Sequence, residues 1–304
     1  MEYDVCIVGA GPAGLSAAIR LRQMAEERGT ELSVCVVDKA PEVGNHIISG
    51  NVFEPRALDE LLPGWRERED SPFNVKVKSD EFSLFWNETW KLPLPTPPSM
   101  HNEGNYIVSL STVVRWMAGI AEGEYGVEIY PGFAASEVLM DETKDDNDQA
   151  VRVVRGIATG DMGIAKDGTH KDTYARGMEL RARVTLFAEG CRGSLSQELM
   201  RVFDLRKDCD PQTYALGIKE VWEVDESVHD EGHVMHSVGW PMDWDTYGGG
   251  FLYHMDERRV AVGYVVALDY KVWWVWSEPI ASQIIWKCCC ACVMLSLLSP
   301  PSVH

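Results

Sequence analysis

The chain opens with a pattern of apolar and polar positions that changes from strand to helix and back. Val5–Val8 is a continuous apolar run, as in a parallel strand that is covered on both faces. Residues 12–27 then carry apolar side chains at helical spacing, and residues 32–37 form a second apolar run. Strand, helix and strand in this order predict the start of an α/β domain with a parallel sheet.

The rest of the chain mixes strand and helix patterns. Alternating apolar residues at 82–86 and 90–94 predict two strands, which end where prolines follow. Further predicted elements are a helix at 108–121, strands at 127–130, 136–140, 151–159, 183–188, 214–221 and 232–240, and a glycine-rich connection at 160–177.

One short stretch has an apolar stripe at helical spacing. The stripe consists of Leu58, Leu61, Leu62 and Trp65, and charged residues such as Glu60 lie off it. Such a stripe packs on a core or lies on a bilayer. The pattern alone favours packing on the core.

Three glycines follow the first strand at the spacing G-x-G-x-x-G. Gly9 permits the tight turn, Gly11 lets a pyrophosphate approach the backbone, and Gly14 lets helix and strand pack closely. The N-terminus of the following helix offers free N–H groups and a positive dipole end to phosphates. We predict that a dinucleotide binds here, the alternative being a glycine turn in an ordinary βαβ unit. The predicted contacts are Val8, Gly9, Ala10, Gly11, Pro12, Ala13, Gly14 and Leu15.

Two features follow the second predicted strand. Asp38 stands at its end, where a carboxylate accepts hydrogen bonds from the hydroxyls of an adenosine ribose. The loop 44–50 comes next and is expected to line the cofactor. Its His46 is either a proton carrier or a hydrogen-bonded structural histidine, and the pattern favours the second.

A second turn, Glu189-Gly190, follows the strand predicted at 183–188. An acid-glycine turn that returns to the nucleotide sheet is the second cofactor contact in flavoproteins related to glutathione reductase. Two such turns in one chain favour FAD over NAD. Arg192 nearby either meets a phosphate or is a solvated surface residue, and the second is favoured.

Three successive glycines, 248–250, lie between aromatic residues. They let a flat ligand approach the backbone, or they form a loose turn before a strand. The residues alone leave both interpretations open.

Composition narrows the possible partners. The 304 residues include 45% hydrophobic types, which is ample for a globular core. A formal net charge of −19 argues against a nucleic-acid partner and, more weakly, against an anionic membrane surface.

The eight cysteines suggest no disulfide framework, so a reducing compartment is expected. We see no signal or transit peptide before the first strand, and expect either a protein that is not imported or a chain that lacks its natural N-terminus.

Several of these segments together resemble one family, electron transfer flavoprotein–ubiquinone oxidoreductase. The resemblance covers about residues 1–271 in matching order and spacing. It implies an α/β fold class, with a glutathione-reductase-like FAD-binding domain and an inserted mixed β domain that binds ubiquinone. The expected division is 1–205 for the FAD-binding domain with excursions, 206–271 for part of the ubiquinone-binding domain, and 272–304 for a divergent tail. The segments that carry the likeness are Val5–Ile19, Gly44–Gly50, Phe187–Cys191, Gly239–Pro241 and Tyr247–His254.

The resemblance also implies an activity. The family accepts electrons from reduced electron transfer flavoprotein and passes them to ubiquinone through FAD and, in the full-length family, a [4Fe–4S] cluster. It implies that Gly248 and Gly249 contact the quinone. It further implies that residues 43–64 dip into the membrane, which reverses the expectation for the apolar stripe. The expected location is peripheral, on the matrix side of the inner mitochondrial membrane or on the corresponding bacterial membrane.

The likeness stops after residue 271. Cys288, Cys289, Cys290 and Cys292 lack the C-x₂-C-x₂-C spacing of cluster ligands, so the chain is expected to lack those ligands. Residues 280–298 are read either as a marginal membrane helix or as a tail translated from noncoding sequence, and we favour the tail. Two other functions stay open: an NAD(P)H-dependent flavin hydroxylase or reductase, and an inactive truncated isoform.

Overall fold

The computed structural model describes residues 1–48, 51–144, 148, 150–242 and 244–269. These residues fall into two compact units. The first comprises Met1–Ser49, Glu60–Pro63 and Leu110–Cys209, and the second Gly50–Asp59, Gly64–Ser109 and the chain from Asp210 onward. The predicted domain division stays a prediction, and its tail at 272–304 lies outside the described residues.

The elements are numbered in chain order. The helices are α1 Pro12–Glu27, α2 Arg56–Leu61, α3 Leu110–Gly123 and α4 Ser194–Val202. The strands are β1 Glu2–Val8, β2 Val34–Asp38, β3 Asn51–Phe53, β4 Val75–Lys76, β5 Ser79–Phe85, β6 Lys91–Leu94, β7 Tyr106–Val108, β8 Glu128–Pro131, β9 Ala135–Lys144, β10 Ala150–Thr159, β11 Met162–Ile164, β12 His170–Ala175, β13 Glu179–Phe187, β14 Ala215–Glu223, β15 His233–Gly239, β16 Gly248–His254 and β17 Arg259–Ala267.

The first unit is built on a six-stranded sheet in the order β8-β2-β1-β13-β10-β9. The four strands from β8 to β13 are parallel, and β10 and β9 continue the sheet antiparallel. Cys6 and Ile7 of the central β1 have no exposed surface, which explains the continuous apolar run. The parallel α/β core predicted from the sequence is confirmed.

Helix α1 has the boundaries that the sequence predicts, and both ends have local causes. Pro12 is its first residue, where the missing N–H removes no helical hydrogen bond. At the other end Gly29 adopts a φ of +62°. Its N–H donates to Glu26 O and the N–H of Thr30 donates to Ala25 O, which together form a Schellman motif.

The second unit contains a mixed six-stranded sheet in the order β14-β17-β16-β15-β5-β6. Strands β5 and β15 are parallel, and the other neighbours are antiparallel. A small three-stranded sheet, β3-β7-β4, accompanies it. One core of this unit joins the two sheets through Val75, Ile107, Val234, Tyr253 and Ala261. The expected mixed β architecture is therefore present.

Two sequence predictions need correction. The connection at 160–177 contains an antiparallel hairpin, β11 and β12. The three glycines 248–250 lie inside β16 and pair with β17, so they are not a loose turn before a strand. In both segments cross-strand pairing, which glycine content does not reveal, decides the structure.

Three of the four residues of the stripe at 58–65 are buried, and Leu61 is partly buried. Leu58 is 3%, Leu62 7% and Trp65 1% exposed, so these side chains pack inside the protein. The expectation from the pattern alone is confirmed, and the membrane role inferred for this stripe is not supported. No helix within the described residues has the length and apolar character needed to cross a membrane.

Candidate functional site

The carboxyl ends of three neighbouring strands carry the predicted nucleotide residues of the first unit. Val8 of β1 is in register with Val37 of β2 on one side and Phe187 of β13 on the other. The N–H of Gly9 donates to Val37 O at 2.8 Å, and the N–H of Ala188 donates to Val8 O at 2.8 Å. The glycine turn, Asp38 and the Glu189-Gly190 turn therefore lie at one edge of the sheet, where open α/β sheets bind ligands.

Gly9 and Gly14 are glycines because the fold leaves no room for a side chain. Gly9 has a φ of +109°, and a Cβ there would lie 2.4 Å from Ala188 O. A Cβ on Gly14 would lie 1.9 Å from Gly9 O and 3.2 Å from a methyl carbon of Ile7. These contacts match the turn and packing roles predicted from the motif.

Gly11 is different because the space beside it is open. A Cβ built on this residue meets no atom within 4 Å. Its φ of −81° and ψ of −177° are also accessible to other residues. Neither packing nor backbone conformation requires glycine here, and the free space is where the motif predicts that a pyrophosphate approaches.

The N-terminus of α1 faces this space without a protein cap. Gly11 is the N-cap residue and makes no side-chain capping hydrogen bond, and the first turn contains no acidic residue. The N–H groups of Ala13 and Gly14 belong to the first turn, which has no helical acceptors for them. Free donors at a positive dipole end suit a phosphate group.

Asp38 holds the glycine turn through its carboxylate. Oδ2 accepts from the N–H of Ala10 at 2.7 Å, and Oδ1 accepts from the N–H of Ala40 at 2.8 Å. Each oxygen of an ionised carboxylate accepts two hydrogen bonds, so both keep capacity for ribose hydroxyls. The structural role of Asp38 is visible only in three dimensions, and its predicted ribose contact stays a prediction.

Glu189 caps the N-terminus of α4. Its carboxylate accepts from the N–H of Leu195 at 3.3 Å and from the N–H and the hydroxyl of Ser196 at 2.7 Å each. A Cβ on Gly193 would lie 2.4 Å from the Cβ of Glu189, so the turn needs a glycine there. Glu189 fixes the shape of this turn, and its contact with the cofactor and that of Gly190 stay predictions.

The loop after β2 packs against the start of α3. Gly44 has a φ of +92°, and a Cβ there would lie 2.7 Å from Ser111 O. The hydroxyl of Ser111 donates to Ile47 O at 2.9 Å. His46 is exposed and has no side-chain hydrogen bond among the described residues, so the structural-histidine interpretation is not supported.

In the second unit, the predicted quinone residues Gly248 and Gly249 lie at the start of β16. Gly248 has a φ of +153°, and a Cβ there would lie 2.1 Å from Val265 O. A Cβ on Gly249 would lie 2.2 Å from Ser237 O on the other neighbouring strand. Close approach of β15 and β17 therefore requires both glycines, and side-chain carbons of Met242 and Val238 lie 3.0 and 3.7 Å from the Cβ positions of Gly248 and Gly249.

The second unit also contains a cluster of imidazoles that sequence reasoning missed. His254 at the end of β16 is 1% exposed, and its ring lies 5.3 Å from that of His229 and 5.7 Å from that of His233. Its Nδ1 accepts from the N–H of Asp230. Burial, reinforced by the two neighbouring imidazoles, lowers the pKa of His254 to about 4. The spacing of these histidines in the sequence carries no sign of the cluster.

The described residues contain no group of three or more His, Cys, Asp and Glu side chains that could hold a metal ion. Cys288, Cys289, Cys290 and Cys292 lie outside the described residues.

The fold and the site at the sheet edge define a Rossmann-like dinucleotide-binding protein of the flavoprotein type. A family model described as an NAD(P)-binding Rossmann-like domain matches residues 7–73. A second family model, described as the ubiquinone-binding domain of ETF-QO, matches residues 214–284.

The sequence comparison is more specific. The chain is 57% identical over 274 residues to the mitochondrial electron transfer flavoprotein–ubiquinone oxidoreductase of Oryza sativa subsp. japonica, covering 89% of this chain and 45% of that protein. It is 52% identical over 275 residues to the Pseudomonas aeruginosa protein of the same name, covering 89% of this chain and 48% of that protein. The chain is thus a relative of the electron transfer flavoprotein–ubiquinone oxidoreductases, and the resemblance seen in the sequence is confirmed. It spans less than half the length of these relatives.

Solved structures support the fold. A geranylgeranyl bacteriochlorophyll reductase-like protein from Thermoplasma acidophilum has a TM-score of 0.59 at 18% identity, covering 88% of this chain and 57% of that one. A myxobacterial chondrochloren halogenase, described as a variant of FAD-dependent halogenases, has a TM-score of 0.57 at 15% identity, covering 97% of this chain and 57% of that one. At these identities the likeness establishes the fold and carries no assignment of reaction.

Proposed function

We propose that the chain binds FAD at the edge of the first sheet and takes part in electron transfer from reduced electron transfer flavoprotein to ubiquinone. The observation that carries the cofactor proposal is the open space at Gly11 in front of the uncapped N-terminus of α1. The more than 50% identity to proteins named for the whole reaction supports the donor and the acceptor.

Different residues at the sheet edge bind different parts of the cofactor. The N–H groups at the start of α1 bind the pyrophosphate, and the carboxylate of Asp38 binds the ribose while it keeps the glycine turn in place. The Glu189-Gly190 turn supports the same edge through its contact with Gly9. When bound, FAD supplies a carrier that accepts electrons from the donor protein and releases them to a quinone.

The glycine segment of β16 is the proposed quinone surface. A quinone ring is flat and largely apolar, so it packs on a surface that has no side chains in its way. Gly248 and Gly249 add no side chains of their own to such a surface, which Met242 and Val238 flank, and Tyr247 beside them is 84% exposed. The close packing of the neighbouring strands already requires glycine at these two positions. In this proposal, access for the quinone is a second reason for glycine there.

A lipid-soluble quinone calls for contact with a bilayer, and we propose a peripheral location on the inner mitochondrial or bacterial membrane. Several relatives are named as mitochondrial. Within the segment 43–64 the burial of Leu58 and Leu62 leaves Ile48, 83% exposed, as the large apolar side chain available for lipid. This location is tested by sedimentation with quinone-containing vesicles, comparing the protein with its Ile48→Glu variant.

The function is tested on purified protein reconstituted with FAD. The first measurement is the ratio of flavin to protein. The second is the rate at which the bound flavin is reduced by reduced electron transfer flavoprotein and reoxidised by a short-chain ubiquinone. Flavin binding with both half-reactions supports the proposal, and failure of reoxidation by quinone overturns its acceptor side.

One alternative has an observation in its favour. The first family model is described as NAD(P)-binding, which fits an NAD(P)H-dependent flavin hydroxylase or reductase. Rapid reduction of the bound flavin by NAD(P)H, with no reduction by electron transfer flavoprotein, favours this alternative. A preparation that binds no flavin even after reconstitution favours an inactive isoform.

A further inference from the structure

A hydrogen-bonded pair of side chains, His236 and Tyr253, lies within the second unit. The Nε2 of His236 on β15 lies 2.9 Å from the hydroxyl of Tyr253 on β16, and the rings are 5.5 Å apart. Tyr253 is 8% exposed and belongs to the core that contains Val234 and Ala261. The Nδ1 of His236 has no hydrogen-bond partner among the described residues. The pair therefore keeps one polar atom available beside an apolar core.

The pair projects from the same face of the sheet as Gly249. His236 is in register with Phe251, and Phe251 and Tyr253 alternate along β16 after Gly249, so the three side chains project from one face. His236 and Gly249 are diagonal neighbours on adjacent strands, with Cα atoms about 7 Å apart. A ligand on the glycine segment reaches the imidazole past the side chain of Val238, whose Cγ1 lies 3.7 Å from the Cβ position of Gly249.

Phe251, which stands between these positions on β16, leans the other way. Its Cζ lies 2.1 Å from where a Cβ of Gly263 would be, so the ring occupies the space above β17. The ring also stacks on Tyr253, with centroids 4.9 Å apart. The aromatic ring therefore lies toward β17, and the imidazole stands on the β15 side of the glycine segment.

The groups around the imidazole keep the pair uncharged near neutral pH. Burial lowers the pKa of His236, and Asp80 on the neighbouring β5 opposes this shift without reversing it. The carboxylate of Asp80 accepts from the N–H and the side-chain amide of Asn102. Burial raises the pKa of Tyr253 to about 12. A neutral N–H and a neutral O–H in series form a path for a proton rather than a fixed charge.

We propose that His236, held by Tyr253, hydrogen-bonds the quinone carbonyl at the glycine segment of β16 and delivers a proton as the quinone is reduced. This rests on the proposed function, which supplies two electrons from the reduced flavin. The Nδ1–H bond breaks while an O–H bond forms on the quinone oxygen. The hydroxyl proton of Tyr253 moves to Nε2, and the tyrosine oxygen recovers a proton from water. The second proton of the quinol comes from solvent.

The test compares two electron acceptors. The bound flavin is photoreduced without air, with EDTA as the electron donor, and its reoxidation is followed by stopped flow with decylubiquinone or with ferrocenium, an acceptor that takes up no proton. We expect His236→Gln to slow reoxidation by the quinone about 100-fold, as for loss of a general acid, and to leave the ferrocenium rate within about twofold. Tyr253→Phe removes only the hydroxyl and should slow the quinone reaction less than His236→Gln does.

The matched control is His233→Gln on the same strand. His233 projects from the opposite face and hydrogen-bonds Ser79, so both rates should stay at the wild-type value. Equal quinone rates for wild type and His236→Gln overturn the inference alone. Parallel losses with both acceptors mean a structural role for the pair and also overturn it. A wild type that is reoxidised by ferrocenium and not by quinone shows instead that the proposed acceptor is wrong.

Discussion

The glycines of the β1–α1 turn and those of β16 look alike in the sequence and differ in the structure. Gly11 has open space where a side chain would be, whereas a Cβ on Gly248 or Gly249 would lie 2.1 or 2.2 Å from a backbone oxygen. The first position is compatible with other residues and is kept clear for a ligand in our proposal. The other two are required by the sheet itself. A glycine in a motif therefore indicates that another group comes close to the backbone at that position. The structure shows whether protein atoms or free space lie where the side chain would be.

The largest effect is expected from a side chain on β16. Gly249→Leu should destabilise the protein by more than about 4 kcal/mol, because its Cβ would overlap Ser237 O before the rest of the side chain is placed. If Gly249 served only to admit a quinone, the substitution would abolish quinone reduction and leave the flavin content intact, whereas the packing predicts loss of folding. Urea denaturation measures the effect, with Gly217→Ala as a control, since its nearest neighbour would be a methyl group of Val265 at 3.8 Å. Wild-type stability for Gly249→Leu would refute the packing account.

The next effect concerns ligand binding at the turn. Gly11→Val should weaken FAD binding at least about 100-fold, roughly 3 kcal/mol, because the side chain enters the space reserved for the pyrophosphate. The free energy of unfolding of the flavin-free protein should change by no more than about 0.5 kcal/mol. Fluorescence titration with FAD and urea denaturation provide the two values. Gly14→Ala is the matched contrast, since its Cβ would clash with Gly9 O and it should lower stability as well as binding.

The far end of β16 provides a pH test of the same strand. The pKa of His254 is lowered from 6.5 to about 4 in the folded protein. Between these two pH values the unfolded chain therefore binds a proton at His254 and the folded chain does not. The contribution of His254 to the free energy of unfolding is on the order of 3 kcal/mol. It is fully present above pH 6.5 and is lost as the pH falls toward 4.

Urea denaturation between pH 7.5 and 4.5 measures this slope. The His254→Asn variant keeps an acceptor for the N–H of Asp230 and should lose most of the slope. An equal slope in both proteins would assign the acid sensitivity to other groups, with His229 and His233 next to examine.

The smallest effect is expected at a glycine with neither neighbour nor ligand. Gly119 lies on the exposed side of α3 and has nothing within 4 Å of its Cβ position. Gly119→Ala should stabilise the protein by about 1 kcal/mol through helix propensity, with no change in flavin affinity. The thermal midpoint and the FAD titration report the two quantities. Weaker FAD binding in this variant would show that open space at a glycine does not by itself mark a ligand site.

Local sequence patterns account for much of the first unit. The apolar runs of β1 and β2, the boundaries of α1 and the G-x-G-x-x-G spacing follow from local rules, because a buried strand, a helix face and a tight turn each impose a short-range pattern. The resemblance to the electron transfer flavoprotein–ubiquinone oxidoreductases is also visible in the sequence alone. The pattern of the stripe at 58–65 by itself indicates core packing, whereas the resemblance implies a membrane role that the burial of Leu58, Leu62 and Trp65 does not support.

Which groups the predicted site residues contact depends on the folded chain. Asp38 and Glu189 were predicted as cofactor contacts, and the fold shows that they also hold the glycine turn and cap α4, through partners up to 28 residues away. The hairpin β11–β12, the inclusion of Gly248 and Gly249 in β16, and the proximity of His254 to His229 and His233 depend on strand register and chain crossings. Such contacts join segments distant in sequence, and no local period of apolar and polar residues records them.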